Sequence, residues 1–236
     1  MRPRLRKVLL LAGVVPAVLA VVLAVLVTRM LTSQGAGEES FDSGDFADAA
    51  ASFDSAGGVN PFEEWVTAFD RGAAEHADGD LDAAIELYES ALTTVPTAEE
   101  CTVRINLALA HESVGDGLVE DEDADEQDVE DAIASWDAGL TALRDGDCPE
   151  DSGRGEAQTE DAAAVEERLE KKIEQQQQQQ QQKKKKDDQK ENDEDQKKKQ
   201  ERERKERELE KQNERAEKQK QRYERQKESG GYQPEW

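Results

Sequence analysis

The residues able to do chemistry in this chain are few and scattered. There are two His, His76 and His111, two Cys, Cys101 and Cys148, and a large excess of carboxylates. Neither His has a second His or a Cys at the short spacing that a metal site uses. The stretch DGDLD (Asp78–Asp82) opens like a calcium loop, but Ala83 stands where that loop needs Gly for its sharp turn. The acidic stretch EDEDADEQD (Glu120–Asp128) reads as a solvated loop, with loose Ca²⁺ capture as the alternative. No Gly-rich phosphate loop, nucleophile elbow or Ser/His/Asp grouping occurs. No carboxylate is set apart by an apolar pocket, so acid–base catalysis has no candidate. The expectation is a non-enzyme with no catalytic, cofactor-binding or metal residues and no cofactor.

Charge divides the 236 residues into three chemistries. Residues 1–30 hold five cations and no acid; residues 31–161 hold 36 acids against four Arg and no Lys; residues 162–236 hold 22 cations and 20 acids. The middle piece has the length of a single domain. Its net charge of −32 repels phosphate, so no nucleic-acid partner is expected. Few aromatics and many Ala point to closely packed helices rather than a sheet.

The N-terminal stretch begins with Arg2, Arg4, Arg6 and Lys7, followed by uncharged residues 8–27, long enough to cross a hydrocarbon core. Pro16 is tolerable in a membrane helix. Cations before the span and acids after it place the N-terminus in the cytoplasm and the rest of the chain outside. The rival reading is a secretory signal cleaved near Ser33–Gly37, although its apolar region is longer than signals usually have.

Two stretches are near copies: GDFADAAASFDSAGGVNP from Gly44 and GDLDAAIELYESALTTVP from Gly79, 35 residues apart. In the second, Leu81, Ala84, Ile85, Tyr88, Ala91 and Leu92 fall on one helical face. In the first, Phe46, Ala49, Ala50, Phe53 and Ala56 do the same. Gly79 breaks the preceding helix and Asp80 caps the next. Upstream, Phe62, Trp65, Phe69, Gly72 and Ala73 form another helical stripe. The unit is helix, Gly-Asp turn, helix, Pro.

This unit resembles a tetratricopeptide repeat (TPR), a helix–turn–helix of 34 residues with small residues and one aromatic at fixed places. In the second unit the matching residues are Gly72, Ala84, Tyr88, Ala91 and Pro96; in the first they are Ala49, Phe53, Ala56 and Pro61. A third unit supplies Leu107, Ala108, a Gly115-Asp116 turn, Ala132, Trp136 and Gly139. It departs from the pattern by an insertion over 117–127 and by lacking the final Pro; the second departs at Arg71, where the family prefers Leu. The resemblance covers about residues 41–147. It places Cys101 at the start, and Cys148 after the end, of one antiparallel hairpin, where a disulfide is allowed in an exported domain.

After the repeats, Ala162, Val165, Leu169 and Ile173 form a stripe, read as a helix covering the last apolar face of the solenoid. The tail is a run of Gln, Lys, Arg and Glu. Leu209, Ala216 and Tyr223 are seven apart, but polar residues hold the alternate core positions, so no coiled-coil seam exists. Glu201–Lys205, Glu203–Arg207 and Glu214–Lys218 suit a solvated single helix, with fraying or disorder over 175–200. Tyr232 and Trp236, in the terminal GGYQPEW, are a candidate docking motif.

The expected fold class is all-α. A transmembrane segment with its basic stub (1–30) precedes a short TPR-like solenoid (41–148; units about 41–61, 62–96 and 97–148), a capping helix (157–175) and a charged tail (176–236). The resemblance implies an adaptor holding a protein or peptide partner near Arg71, Glu75, Arg104 and His111 on the first helices. More loosely, the anchor, the few repeats and the tail resemble the TPR proteins found with von Willebrand factor A proteins and MoxR-type ATPases in bacterial membranes (aerotolerance Bat type). That likeness implies assembly or stress protection of a membrane complex at the bacterial cell membrane. The alternatives are a surface spacer working through its tail and an acidic calcium-responsive surface protein.

Overall fold

A computed structural model describes residues 3–57, 63–120, 123–146, 148 and 155–228. The described residues are all-α, with helices α1 (Pro3–Ser43), α2 (Phe46–Gly57), α3 (Glu64–Asp78), α4 (Leu81–Leu92), α5 (Thr97–Glu120), α6 (Glu126–Arg144) and α7 (Glu156–Glu228). The chain falls into two compact units, one through Gln176 and a second from Gln177.

The repeated Gly-Asp does the same work twice. Gly44 and Gly79 take the left-handed backbone, with φ of +81° and +91°, which only Gly adopts without strain. Each ends a helix by returning amides to its last carbonyls: Asp45 N–H to Ser40 O at 2.9 Å, and Asp80 N–H to Glu75 O at 3.0 Å. The Asp80 carboxylate then accepts from Ala83 N–H at 3.2 Å and caps α4. Two antiparallel hairpins result, α1/α2 and α3/α4. The residues after α2, Pro61 among them, lie outside the described residues. Pro96 sits immediately before α5 and opens that helix rather than closing α4, which already ends at Leu92.

Three places differ from the sequence expectation. The first is α1. Residues 31–40 are not a linker, because the apolar helix runs unbroken to Ser43 and its last three turns are the first helix of the first hairpin. No Gly or Pro stands between Val27 and Ser33 to stop it. The second is the third hairpin. Gly115-Asp116 does not turn; α5 continues to Glu120, and the expected acidic loop shrinks to a few residues before α6. Asp125 there forms a capping box, accepting from Gln127 N–H (2.7 Å) and Asp128 N–H (3.1 Å) while Asp128 accepts from Asp125 N–H (2.7 Å). The third is the tail. Cap and tail are one helix of 73 residues, and 175–200 are helical rather than frayed. Gln, Lys and Glu are good helix formers, and the stretch has neither Gly nor Pro. Of the three tail ion pairs expected, Glu201–Lys205 (2.8 Å) and Glu214–Lys218 (2.5 Å) are close, and Glu203–Arg207 is longer at 3.7 Å.

The core is a chain of three clusters, each with one buried aromatic. Phe53 packs with Ala49 and Ala50; Tyr88 with Ala84 and Ala91; Trp136 with Ala108, Ala132, Leu140 and Leu143. Each cluster is closed by the helix that follows its hairpin. Ala74 of α3 completes the first, Val103, Leu107 and Ala110 of α5 the second, and Ala162, Val165 and Leu169 of α7 the third. No hairpin buries its apolar face alone, so stability comes from stacking neighbours.

Candidate partner-binding surface

Within each hairpin one small residue lies under the aromatic. A methyl group added at Gly72 would stand 3.0 Å from the Tyr88 ring, and one added at Gly115 would collide with the Trp136 indole. The matching residue of the first hairpin is Gly37: a methyl there would come within 2.5 Å of Phe53. Sequence reasoning passed over Gly37, although it precedes Gly72 by the same 35 residues that separate Gly44 from Gly79. Ala108, matched by sequence to a small position of the repeat, is buried in the Trp136 cluster, but Gly115 makes the close approach to the ring. Ala49, Ala56, Ala84, Ala91 and Ala132 are buried as expected. Tyr232 and Trp236 lie outside the described residues.

Cys101 and Cys148 form a disulfide, with Cα atoms 5.1 Å apart. It ties the second turn of α5 to the chain just beyond α6.

The residues expected to line an open groove are mostly engaged in packing. Arg71 donates to Asp54 of α2 at 2.8 Å and approaches Glu75 at 3.5 Å, so it joins successive hairpins. Arg104 is largely covered; it donates to Glu100 at 2.8 Å and to the Ala142 carbonyl at 2.9 Å, inside the α5/α6 hairpin. Arg144 is paired with Glu166 and Glu170. With these three Arg all spent internally, the acid excess of the domain faces outward.

His76 and His111 are half-buried. Burial pushes both imidazoles below their ordinary value, and at His111 the Glu89 carboxylate opposes that shift. Ser113 gives its hydroxyl proton to the Leu109 carbonyl (3.0 Å), so the 3.1 Å contact with His76 has the neutral imidazole Nε2–H as donor. Asp70 on α3 accepts from Gln34 on α1 at 2.5 Å. Burial raises its carboxyl, and Glu38 adds to the rise against the Gln34 hydrogen bond. Among the described residues, no three His, Cys, Asp or Glu are grouped to hold a metal.

The strongest polar assembly joins α5, α6 and α7. Glu112 is buried on α5 and accepts both nitrogens of the Arg168 fork, at 2.6 and 2.5 Å. Lys172 bridges Glu112 at 2.6 Å and Asp116 at 2.5 Å. Trp136 Nε1 donates to the Glu112 carbonyl (3.3 Å) and to Asp116 Oδ1 (3.2 Å). Burial alone would raise the Glu112 carboxyl, but the hydrogen bonds and charges of Arg168 and Lys172 outweigh it and hold it below the usual value. Sequence reasoning found the apolar stripe of α7 and missed these cations.

No protein-family model matches the chain, and no curated protein matches it.

Proposed function

We propose that the chain is a membrane-tethered, extracytoplasmic TPR-like adaptor that holds a protein or peptide partner of a bacterial membrane complex. The observation that carries the reading is the threefold recurrence of an aromatic over a glycine, each cluster closed by the next helix. That is how a repeat solenoid builds an extended binding surface. The outward acid excess favours a partner with exposed Lys or Arg.

The tether is α1, the one helix among the described residues long and apolar enough to cross a membrane. The basic residues before it and the acids after it support a cytoplasmic N-terminus. Cleavage near Ser33–Gly37 would remove the helix that covers Phe53, which favours an uncleaved anchor. The disulfide fits an oxidising compartment.

The test is site-specific crosslinking from surface positions of α3 and α5 in native membranes, with the wild type and a chain lacking 177–228. The adaptor reading expects the same partner on both. Loss of all crosslinks with the tail would favour a spacer acting through residues 177–228, whose described side chains are nearly all exposed.

A further inference from the structure

We propose that residues 158–173 of α7 are an exchangeable occupant, in cis, of a helix-binding face built by α5 and α6. The ligand class of that face is an amphipathic helix with two cations one turn apart beside an apolar ridge. The partner's existence rests on the adaptor reading; the exchangeable face does not.

The face is prepared before α7 arrives. Glu112 and Asp116 are one turn apart on α5, and the Trp136 indole N–H of α6 donates to the Glu112 carbonyl and to Asp116 Oδ1. Arg168 and Lys172 are one turn apart on α7 and meet that acid pair in register. Lys172 Nζ also lies 5.9 Å from the Trp136 ring centroid. Beside the ions, Ala162, Val165 and Leu169 fill the apolar part of the face. Arg144 adds pairs to Glu166 and Glu170 at the exposed rim.

The ions choose the register. Among the apolar residues of α7, only Leu169 has a cation one place before it and another three places after it. Leu209, Ala216 and Tyr223 are each followed at that distance by Gln. A helix rich in Lys and Glu has many turns that would dock passably, and the two cations that meet the buried Glu112 select one of them.

The same features make the occupant replaceable. Arg168, Lys172 and Asp116 stay partly exposed, and ion pairs open to solvent fix geometry more than they add net stability. Gln158 is buried and donates to Thr102 Oγ1 at 2.5 Å, yet its Oε1 has no donor among the described residues. The apolar ridge is four side chains, Ala162, Val165, Leu169 and the partly buried Ile173. By contrast, α5 is seated through Val103, Leu107 and Ala110 and fastened by the disulfide.

Amide hydrogen exchange on the full chain in nanodiscs tests the idea. Amides of 158–173 are expected to exchange ahead of those of α5 and α6 in the wild type. The Arg168→Glu/Lys172→Glu variant is expected to raise their rates by about tenfold or more, leaving α3 and α4 unchanged. That variant is also expected to capture a labelled peptide of residues 156–176, and a scrambled peptide is not. Wild-type exchange of 158–173 only in one event with α5 and α6 overturns the proposal, whatever the variant does. So does failure of the variant to bind the peptide. A face that opens while crosslinking finds no partner would sink the adaptor reading alone. Failure of the variant to bind the peptide while crosslinking still captures a partner would sink this proposal alone.

Discussion

The first two hairpins and the third reach the same packing by different turns. In α1/α2 and α3/α4, Gly37 meets Phe53 and Gly72 meets Tyr88, each pair 16 residues apart around a left-handed Gly. In α5/α6, Gly115 meets Trp136 across 21 residues, and no Gly makes the turn. α5 and α6 are longer than α3 and α4, the connection ends in the Asp125 capping box, and a disulfide closes the far end. What persists is the contact between a glycine and a ring; the loop is free to change. A short antiparallel pair needs its backbones close, and that demand falls on one residue in each helix, not on the turn.

If the third hairpin is held by its disulfide where the others rely on their turns, Cys101→Ser with Cys148→Ser should have the largest effect. For a bridge spanning 47 residues the chain-entropy ceiling is roughly 4 kcal/mol. Thermal melts should show the loss, with exchange rising in α5–α6 before α3–α4; a uniform rise would erase the distinction. Next come the glycines. Gly115→Ala should cost about 1–3 kcal/mol by overpacking against Trp136. Gly117→Ala, two residues along the same helix with nothing within 4 Å of the new methyl, should instead stabilise by roughly 0.5–1 kcal/mol. Equal effects in denaturant melts would refute the close approach.

A smaller effect concerns pH. His76 and His111 are held below their ordinary value, so the unfolded chain takes up protons first. Their contribution is complete above the unfolded value near 6.5 and is lost as pH falls below it. Melting temperature should drop between pH 7.5 and 5, and His76→Gln with His111→Gln should flatten the curve. Glu112, also held low, matters only below the ordinary carboxylate range. Asp70 works with the opposite sign, since its raised carboxyl costs stability as pH rises through it. The smallest expected change is Tyr88→Phe. The Tyr88 hydroxyl is buried without a hydrogen-bond partner among the described residues, so its removal should be neutral or stabilising by about 1 kcal/mol. A clear loss would mean that the hydroxyl is satisfied.

The helical class and the buried face of every repeat were legible because small and aromatic residues recur at helical spacing. Ala84, Tyr88 and Ala91 needed nothing beyond that rule. Gly37 was not legible in the same way. The apolar run of α1 flows into the first hairpin without a break in the helix, so the long apolar segment masked the matching glycine. The third turn was misplaced because Gly115-Asp116 copies the turn dipeptide, yet the glycine is needed under Trp136. Arg168 and Lys172 could not be singled out from the sequence. Their carboxylates lie 56 residues away, and the tail is full of similar cations.

One consequence follows from the unbroken α1. An α-helix advances 1.5 Å and turns about 100° per residue. If α1 crosses a membrane as proposed, a single residue inserted near Leu31 would swing the hairpins that follow about 100° around the helix axis and lift them by only 1.5 Å. A flexible linker would absorb such an insertion unnoticed. On that reading the direction in which the hairpins look is set by counting residues from the lipid, and a neighbour held in the same membrane would meet a different side of the protein after each one.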